Sequence, residues 1–166
     1  MRKQPAKWIA ENPAAYDEGV RSFWLNAFSS PWTPWEKIAL KFLQAKDDPQ
    51  KLKVVYNTLL GELWEDRGDI ADEDTMLARR EDYGTKAVEV STPTIKGASN
   101  IESSYYLGTQ ERWCHQCPEC GEYGEITFDR VHFEHTVAKV RGKKAYKIVG
   151  PITWCCPSCG CIVPEE

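Results

Sequence analysis

Cys117-Pro118-Glu119-Cys120-Gly121 is answered, after roughly 35 residues of strand-like sequence, by Cys156-Pro157-Ser158-Cys159-Gly160. Two intervening residues let both sulfurs of a pair point into one tight turn, proline presets that turn, and glycine takes the positive φ at its exit. Two such turns supply four thiolates, Cys117, Cys120, Cys156 and Cys159, to one tetrahedral zinc. A hairpin joining the turns makes a zinc ribbon. The competing reading, a pair of disulfides, needs an oxidising compartment that nothing in the sequence indicates. Of the seven cysteines, Cys114, Cys155 and Cys161 remain as neighbours of the site. Cys114 or Cys155 would replace a ligand if a turn slipped register; otherwise all three are reduced bystanders.

Working outward, 166 residues allow one ordinary domain or two small ones, and 42% hydrophobic content with seven tryptophans permits a real core. The cysteine-rich segment is too short and polar to hold itself together by burial, so a structural metal must contribute, on the order of 10 kcal/mol for zinc at neutral pH. A net charge of -4 argues against a protein that coats nucleic acid by bulk charge. No apolar run is long enough to span a bilayer and no secretory pattern opens the chain, so the expected compartment is the cytoplasm.

The expected fold class is α+β, a helical hairpin and short strands with a small β zinc ribbon. Residues 1–84 read as a mainly helical segment, 85–112 as a strand and loop, and 113–166 as the ribbon. Residues 1–16 are polar and read as irregular, with Trp8 and Ile9 as anchors. Between Val20 and Phe28 the apolar residues fit both a strand and a helix period. Aromatic enrichment and the Ser29-Ser30-Pro31 stop favour a strand over about 20–28. Thr33-Pro34-Trp35-Glu36 predicts a helix over about 34–46, with Thr33 as N-cap, and Asp48-Pro49 starts another over about 49–64 that Gly61 weakens at its end. An acidic connection leads to a short helix over about 73–82, with Arg79 and Arg80 outward, and Lys86–Val90 reads as a strand stopped by Ser91-Thr92-Pro93-Thr94. Ile95 to Gln110 is loop-like. Strands are expected at Glu125–Phe128, Val131–Val140, Ala145–Val149 and Ile152–Trp154, with a hairpin tip at Arg141-Gly142-Lys143-Lys144.

Neither a Gly-x-x-x-x-Gly-Lys-Ser/Thr loop nor a His-Glu-x-x-His pair occurs, so the chain alone cannot cradle a nucleoside triphosphate in the P-loop manner. His115, His132 and His135 are further ligand candidates, but four thiolates already close a structural site and leave no position for a bound water. Asp72-Glu73-Asp74 and Glu65-Asp66 could hold magnesium for a nuclease, although a solvated acidic loop accounts for them. Lys139, Arg141, Lys143, Lys144 and Lys147 cluster on the expected hairpin, either as phosphate contacts giving salt-sensitive DNA affinity or as a charged, soluble tip. Four thiolates hold iron as well as zinc, so a rubredoxin-like electron carrier also stays open.

Several stretches together resemble the lambda-type large terminase subunit of tailed bacteriophages. They are Ser91-Thr92-Pro93-Thr94-Ile95-Lys96-Gly97 with Ser104-Tyr105-Tyr106, the two Cys-Pro-x-Cys-Gly turns, the run from Phe23 to Trp32, and Asn57-Thr58-Leu59-Leu60-Gly61-Glu62-Leu63-Trp64. That family packages viral DNA into a procapsid with an ATPase and cuts concatemers with a separate nuclease domain. The resemblance implies that Ser91, Thr92 and Pro93 form a coupling-type motif that follows a core strand. It also implies double-stranded DNA, other terminase parts, the small terminase subunit and the portal as partners, and ATP and Mg2+ only in the context of a full family protein. No complete catalytic site carries over, because the nucleotide-binding part and the nuclease metal site are both missing. The order is permuted: in the family the coupling motif and ribbon precede the Phe-Trp-Leu-Asn stretch. Reading from Glu166 into Met1 restores that order, which predicts that the two termini are neighbours. The alternative is a free-standing zinc-ribbon adaptor that binds nucleic acid or protein.

Overall fold

A computed structural model of the chain describes residues 4–65, 88–92, 94–97 and 99–165. The helix expected over 73–82 with Arg79 and Arg80, the acidic groups Asp66 and Asp72-Glu73-Asp74, and the apposition of Met1 and Glu166 lie outside the described residues. What is described mixes helix and strand, in agreement with an α+β fold.

One sheet gathers around β3 (Glu111–Gln116). Along one edge it takes β1 (Ala6–Ala10) in antiparallel register, Ala6 opposite His115 and Ala10 opposite Glu111. It also pairs in parallel with the two-residue β2 (Phe23–Trp24) and antiparallel with β4 (Tyr123–Glu125). Aromatic rings fix this register: Trp8 meets Phe23 and Trp113 edge-on at 4.9 and 5.0 Å. The lead-in is thus a strand, because alternation that is invisible in a polar segment becomes usable once β3 offers it a partner.

The second sheet runs β5 (Val131–Val140), β6 (Lys143–Cys155), β7 (Ile162–Pro164), all antiparallel. The long hairpin turns at Arg141-Gly142, both at positive φ, which places the tip where the sequence predicts it. β6 is one continuous strand through Gly150-Pro151, where two shorter strands were expected, and β7 was not anticipated.

Helix α1 (Trp35–Ala45) lies against β6 and buries Trp35, Ile38, Ala39 and Leu43 in a core shared with Phe28, Leu60, Ile126, Val131, Ile148, Ile152, Trp154 and Val163. Its start differs from expectation. Pro34 occupies the N-cap position without a side-chain cap bond, and the Trp35 N–H donates instead to the Glu165 carboxylate at 2.9 and 3.0 Å. An anion at a helix N-terminus satisfies an orphan donor and opposes the dipole. Glu165→Gln is therefore expected to cost about 0.5–1 kcal/mol, read as a lower urea midpoint at unchanged slope.

Helix α2 (Pro49–Val55) starts as predicted, with the Asp48 carboxylate accepting from the N–H groups of Gln50 and Lys51. It continues as a single wide turn over Tyr56–Leu60 and stops at Gly61 in the left-handed conformation. A Cβ on Gly61 would come within 3.0 Å of the Leu25 carbonyl oxygen, so this glycine ends the helix and admits the Phe23–Leu25 stretch beside it. The predicted strand over 20–28 shrinks to β2, because Asn26 turns the chain: its side-chain oxygen accepts from the Phe28 N–H and its amide donates to the Ile126 carbonyl. A short 3-10 turn, Ala27–Ser29, replaces the rest.

Helix α3 (Asn100–Leu107) occupies what reads as loop. It buries Tyr105 and Glu102, and the Glu102 carboxylate accepts from the Gly97 N–H at 2.6 Å. Glu111, at the start of β3, is fully buried and takes a two-pronged bond from the Arg21 guanidinium, both contacts 2.9 Å, plus the Thr109 hydroxyl at 2.9 Å. Chiefly the Arg21 bond holds this carboxyl below its ordinary range. A depressed folded value means stability that is present at neutral pH and lost as pH falls through that value. Arg21→Met is expected to lower the urea midpoint at pH 7, because its guanidinium is the main partner of the carboxylate buried at the start of β3. The gap between variant and parent urea midpoints should narrow once the pH drops below about 4; an undiminished gap at pH 3 would refute the ion-pair origin.

Candidate metal centre

The two Cys-x-x-Cys turns fold alike. In the first, between β3 and β4, the Gly121 N–H donates to the Cys117 carbonyl at 2.9 Å and the Cys117 N–H to the Glu122 carbonyl at 2.8 Å. In the second, between β6 and β7, the Gly160 N–H donates to the Cys156 carbonyl at 3.0 Å and the Cys156 N–H to the Cys161 carbonyl at 2.9 Å. Gly121 and Gly160 take φ of 75° and 73°, a conformation that L side chains rarely adopt.

Packing brings the turns face to face. A Cβ on Gly124 would meet Pro157 at 2.9 Å and Trp154 at 3.2 Å, so the bare glycine backbone of β4 is the seat for the proline of the opposite turn. The first cysteine of each turn, Cys117 and Cys156, is buried in the common core, whereas the second ones, Cys120 and Cys159, are exposed.

The sulfurs converge. Cys117 Sγ lies 3.8 Å from Cys159 Sγ, and Cys120 Sγ lies 3.8 Å from Cys156 Sγ. A tetrahedral ion with sulfur ligands at about 2.3 Å requires sulfur–sulfur edges of about 3.8 Å. Both separations match such an edge. Cys161 joins them: its sulfur is 3.2 Å from that of Cys117, and Cys117, Cys156, Cys159 and Cys161 all lie within 4.8 Å of one another. Four cysteines can thus hold a metal ion here, and five thiols crowd the site.

Burial opposes ionisation of Cys117, yet the Cys120 N–H, the Cys161 thiol and the Glu119 N–H aimed at its sulfur bring it down to about 6. Its neighbour Cys161, whose sulfur stands 3.2 Å away, is pushed up, chiefly by that contact. N–H groups directed at a thiolate prepare it as a ligand.

The other candidates stand apart. Cys114 is buried within β3, and burial pushes its thiol up to about 11. Cys155 turns its thiol to the carbonyls of Cys156 and Gly160. His115 faces Ser29 Oγ at 3.3 Å, and burial pushes the imidazole down to about 4. His132 and His135 lie exposed on β5.

The basic cluster divides. Lys139 pairs with Lys144 across the hairpin, on the face that also carries Val137, Tyr146 and Ile148. There Lys144 Nζ binds the Asp47 carboxylate at 2.6 Å, which ties the hairpin to the end of α1. Lys143 and Lys147 project from the opposite face, and Arg141 stands at the tip. Alternation along a strand, applied to the predicted hairpin, would have separated the two sets in advance.

Ser91 and Thr92 are exposed, and Pro93 lies outside the described residues. No core strand precedes them among the described residues: Val88 and Val90 are 84% and 90% exposed. The stretch is instead anchored after the motif, where the Trp64 N–H donates to the Thr94 carbonyl and Ile95 bridges Trp64. Lys96 binds Glu65 at 2.7 Å.

Residues 68–166 match the family described as phage terminase large subunit gpA, ATPase domain, and residues 20–98 match terminase large subunit gpA, endonuclease domain. A stretch of 55 residues is 40% identical to the large terminase subunit of Escherichia phage lambda, covering 32% of this chain and 9% of that protein. No solved structure matches.

Proposed function

Because the chain belongs to the phage terminase large subunit gpA ATPase-domain family, we propose that it is a segment of a viral DNA-packaging motor, built around a structural zinc ribbon and catalytically incomplete alone. The observation that carries this reading is the coincidence of the family match over 68–166 with both cysteine turns, whose sulfurs stand at zinc-like spacing. In this reading Cys117, Cys120, Cys156 and Cys159 hold the zinc, which supplies a fixed cross-link and no open coordination position. Buried Cys117 and Cys156 tie it to the core, and the two sheets meet through it.

The order of the matched segments, endonuclease before ATPase, supports a circularly permuted arrangement of the large subunit. Ser91, Thr92 and Pro93 would act as the coupling-type motif only beside the nucleotide-binding part of a full family protein, with ATP and Mg2+ there. Partners in the same reading are double-stranded DNA, the remaining terminase parts, the small subunit and the portal, in the bacterial cytoplasm. Among the described residues no helix is long and apolar enough to cross a membrane.

The test is direct. The purified chain should carry one zinc by elemental analysis and turn over no ATP; measurable turnover refutes the incomplete-motor reading, and red, iron-containing protein refutes the zinc. The exposed Lys143 and Lys147 face favours a second reading, a ribbon that binds DNA by itself. Reversing both charges should then lower the salt dependence of DNA retention by about two phosphate contacts, while Lys144→Glu, which breaks the Asp47 pair, should change stability as well.

A further inference from the structure

The site holds one more thiol than a tetrahedral ion can use. Cys120 and Cys161 approach it from different turns, and their surroundings differ. Cys120 is exposed on the outer corner of the first turn. Cys161 is half-buried at the entry to β7, its carbonyl pinned by the Cys156 N–H at 2.9 Å and its sulfur 3.2 Å from that of Cys117. The set of four sulfurs within 4.8 Å of one another includes Cys161 and leaves out Cys120.

We propose that Cys161 is a reserve ligand that competes with Cys120 for one coordination position, so that the centre keeps four sulfurs when Cys120 is released. This rests on the zinc reading above. The backbone of Cys161 is already held by the turn, so only its side chain must move. For both Cys117 and Cys161 to bind one ion, their sulfurs must separate from 3.2 Å to about 3.8 Å, a few tenths of an ångström each. The exchange balances: Cys161 gives its thiol proton to solvent as its thiolate binds, the departing Cys120 thiolate takes one up, and no electrons transfer. The charge of the four-thiolate centre is the same before and after. Swapping an exposed ligand for a half-buried one protects the centre when the outer cysteine is alkylated or oxidised.

The experiment uses the full chain, reduced and loaded with zinc or Co2+. Wild type must first bind one ion; if it binds none, the zinc reading itself has failed. Given that, Cys120→Ser and Cys161→Ser should each hold metal within about 100-fold of wild type, and the Cys120→Ser protein should keep the thiolate-to-Co2+ absorption of a four-sulfur site. The double variant should lose affinity by at least about 1,000-fold. A Cys120→Ser protein that binds as poorly as the double variant, or shows a three-sulfur spectrum, overturns the proposal. Alkylation mapped by mass spectrometry gives an independent readout of the zinc-loaded proteins. Cys161 should react in wild type and become protected in Cys120→Ser; equal reactivity in both refutes the exchange.

Discussion

A Cys117→Ser chain is expected to lose its metal and with it the docking of the two cysteine turns. Cys117 is 1% exposed, lies in the common core, and has contacts to both Cys159 and Cys161. Cys161 already stands near Cys156 and Cys159, but it lies just past the second turn, so with Cys117 gone it leaves the first turn held by Cys120 alone. Structural zinc supplies on the order of 10 kcal/mol, comparable to the whole stability of a small domain, about 5–15 kcal/mol, so loss of the ion through a central ligand should leave little or no folding stability. The measurement is zinc content together with the thermal transition. The variant should purify with far less than one equivalent and show no cooperative melt, and a strong chelator should bring wild type to the same state. Full zinc content in the variant would remove Cys117 from the ligand set.

Trp35→Ala should be the most damaging change away from the cysteines, at about 3–5 kcal/mol. Trp35 is fully buried, its indole N–H donates to the Phe28 carbonyl at 2.9 Å, and it stands edge-on to Phe28 at 5.8 Å. Truncation opens a cavity between α1 and β6 and orphans that carbonyl. Trp35→Phe should recover most of the packing and leave about 1–2 kcal/mol for the unmade hydrogen bond. Equal urea midpoints for the alanine and phenylalanine variants would show that the bond, and not the volume, dominates.

The parts of this fold that were legible are those whose signal is local. Asp48-Pro49 carries its own cap, Arg141-Gly142 carries its own turn, and a Cys-Pro-x-Cys-Gly run contains the proline and glycine its geometry needs. What escaped depends on distant partners. β1 and β2 are recognisable only beside β3, about a hundred residues later in β1's case. α3 buries an acid and a tyrosine and has no apolar stripe to reveal a helical period. The anion that starts α1 is Glu165, at the far end of the chain. At the metal centre the spacing brought out the two turns, and Cys117, Cys156 and Cys159 from them stand in the cluster, but it passed over Cys161, which completes the group of four. The available signal was Cys161 immediately after Gly160, in the first position beyond the turn, where a strand returns its side chain toward the ligands.

The pairing of β1 with β3 also sets a timetable. Ala10 opposes Glu111, so during synthesis at about 5–20 residues per second the first strand waits roughly 5–20 s for its neighbour to be made. Through that interval Trp8 and Phe23 have no sheet to pack on, and the nascent chain displays sticky aromatic surface to whatever surrounds the ribosome. Pairings so remote in sequence also close slowly after release. Production yield should therefore respond more to holdase chaperones and slow, cool expression than to any single stabilising substitution in the core.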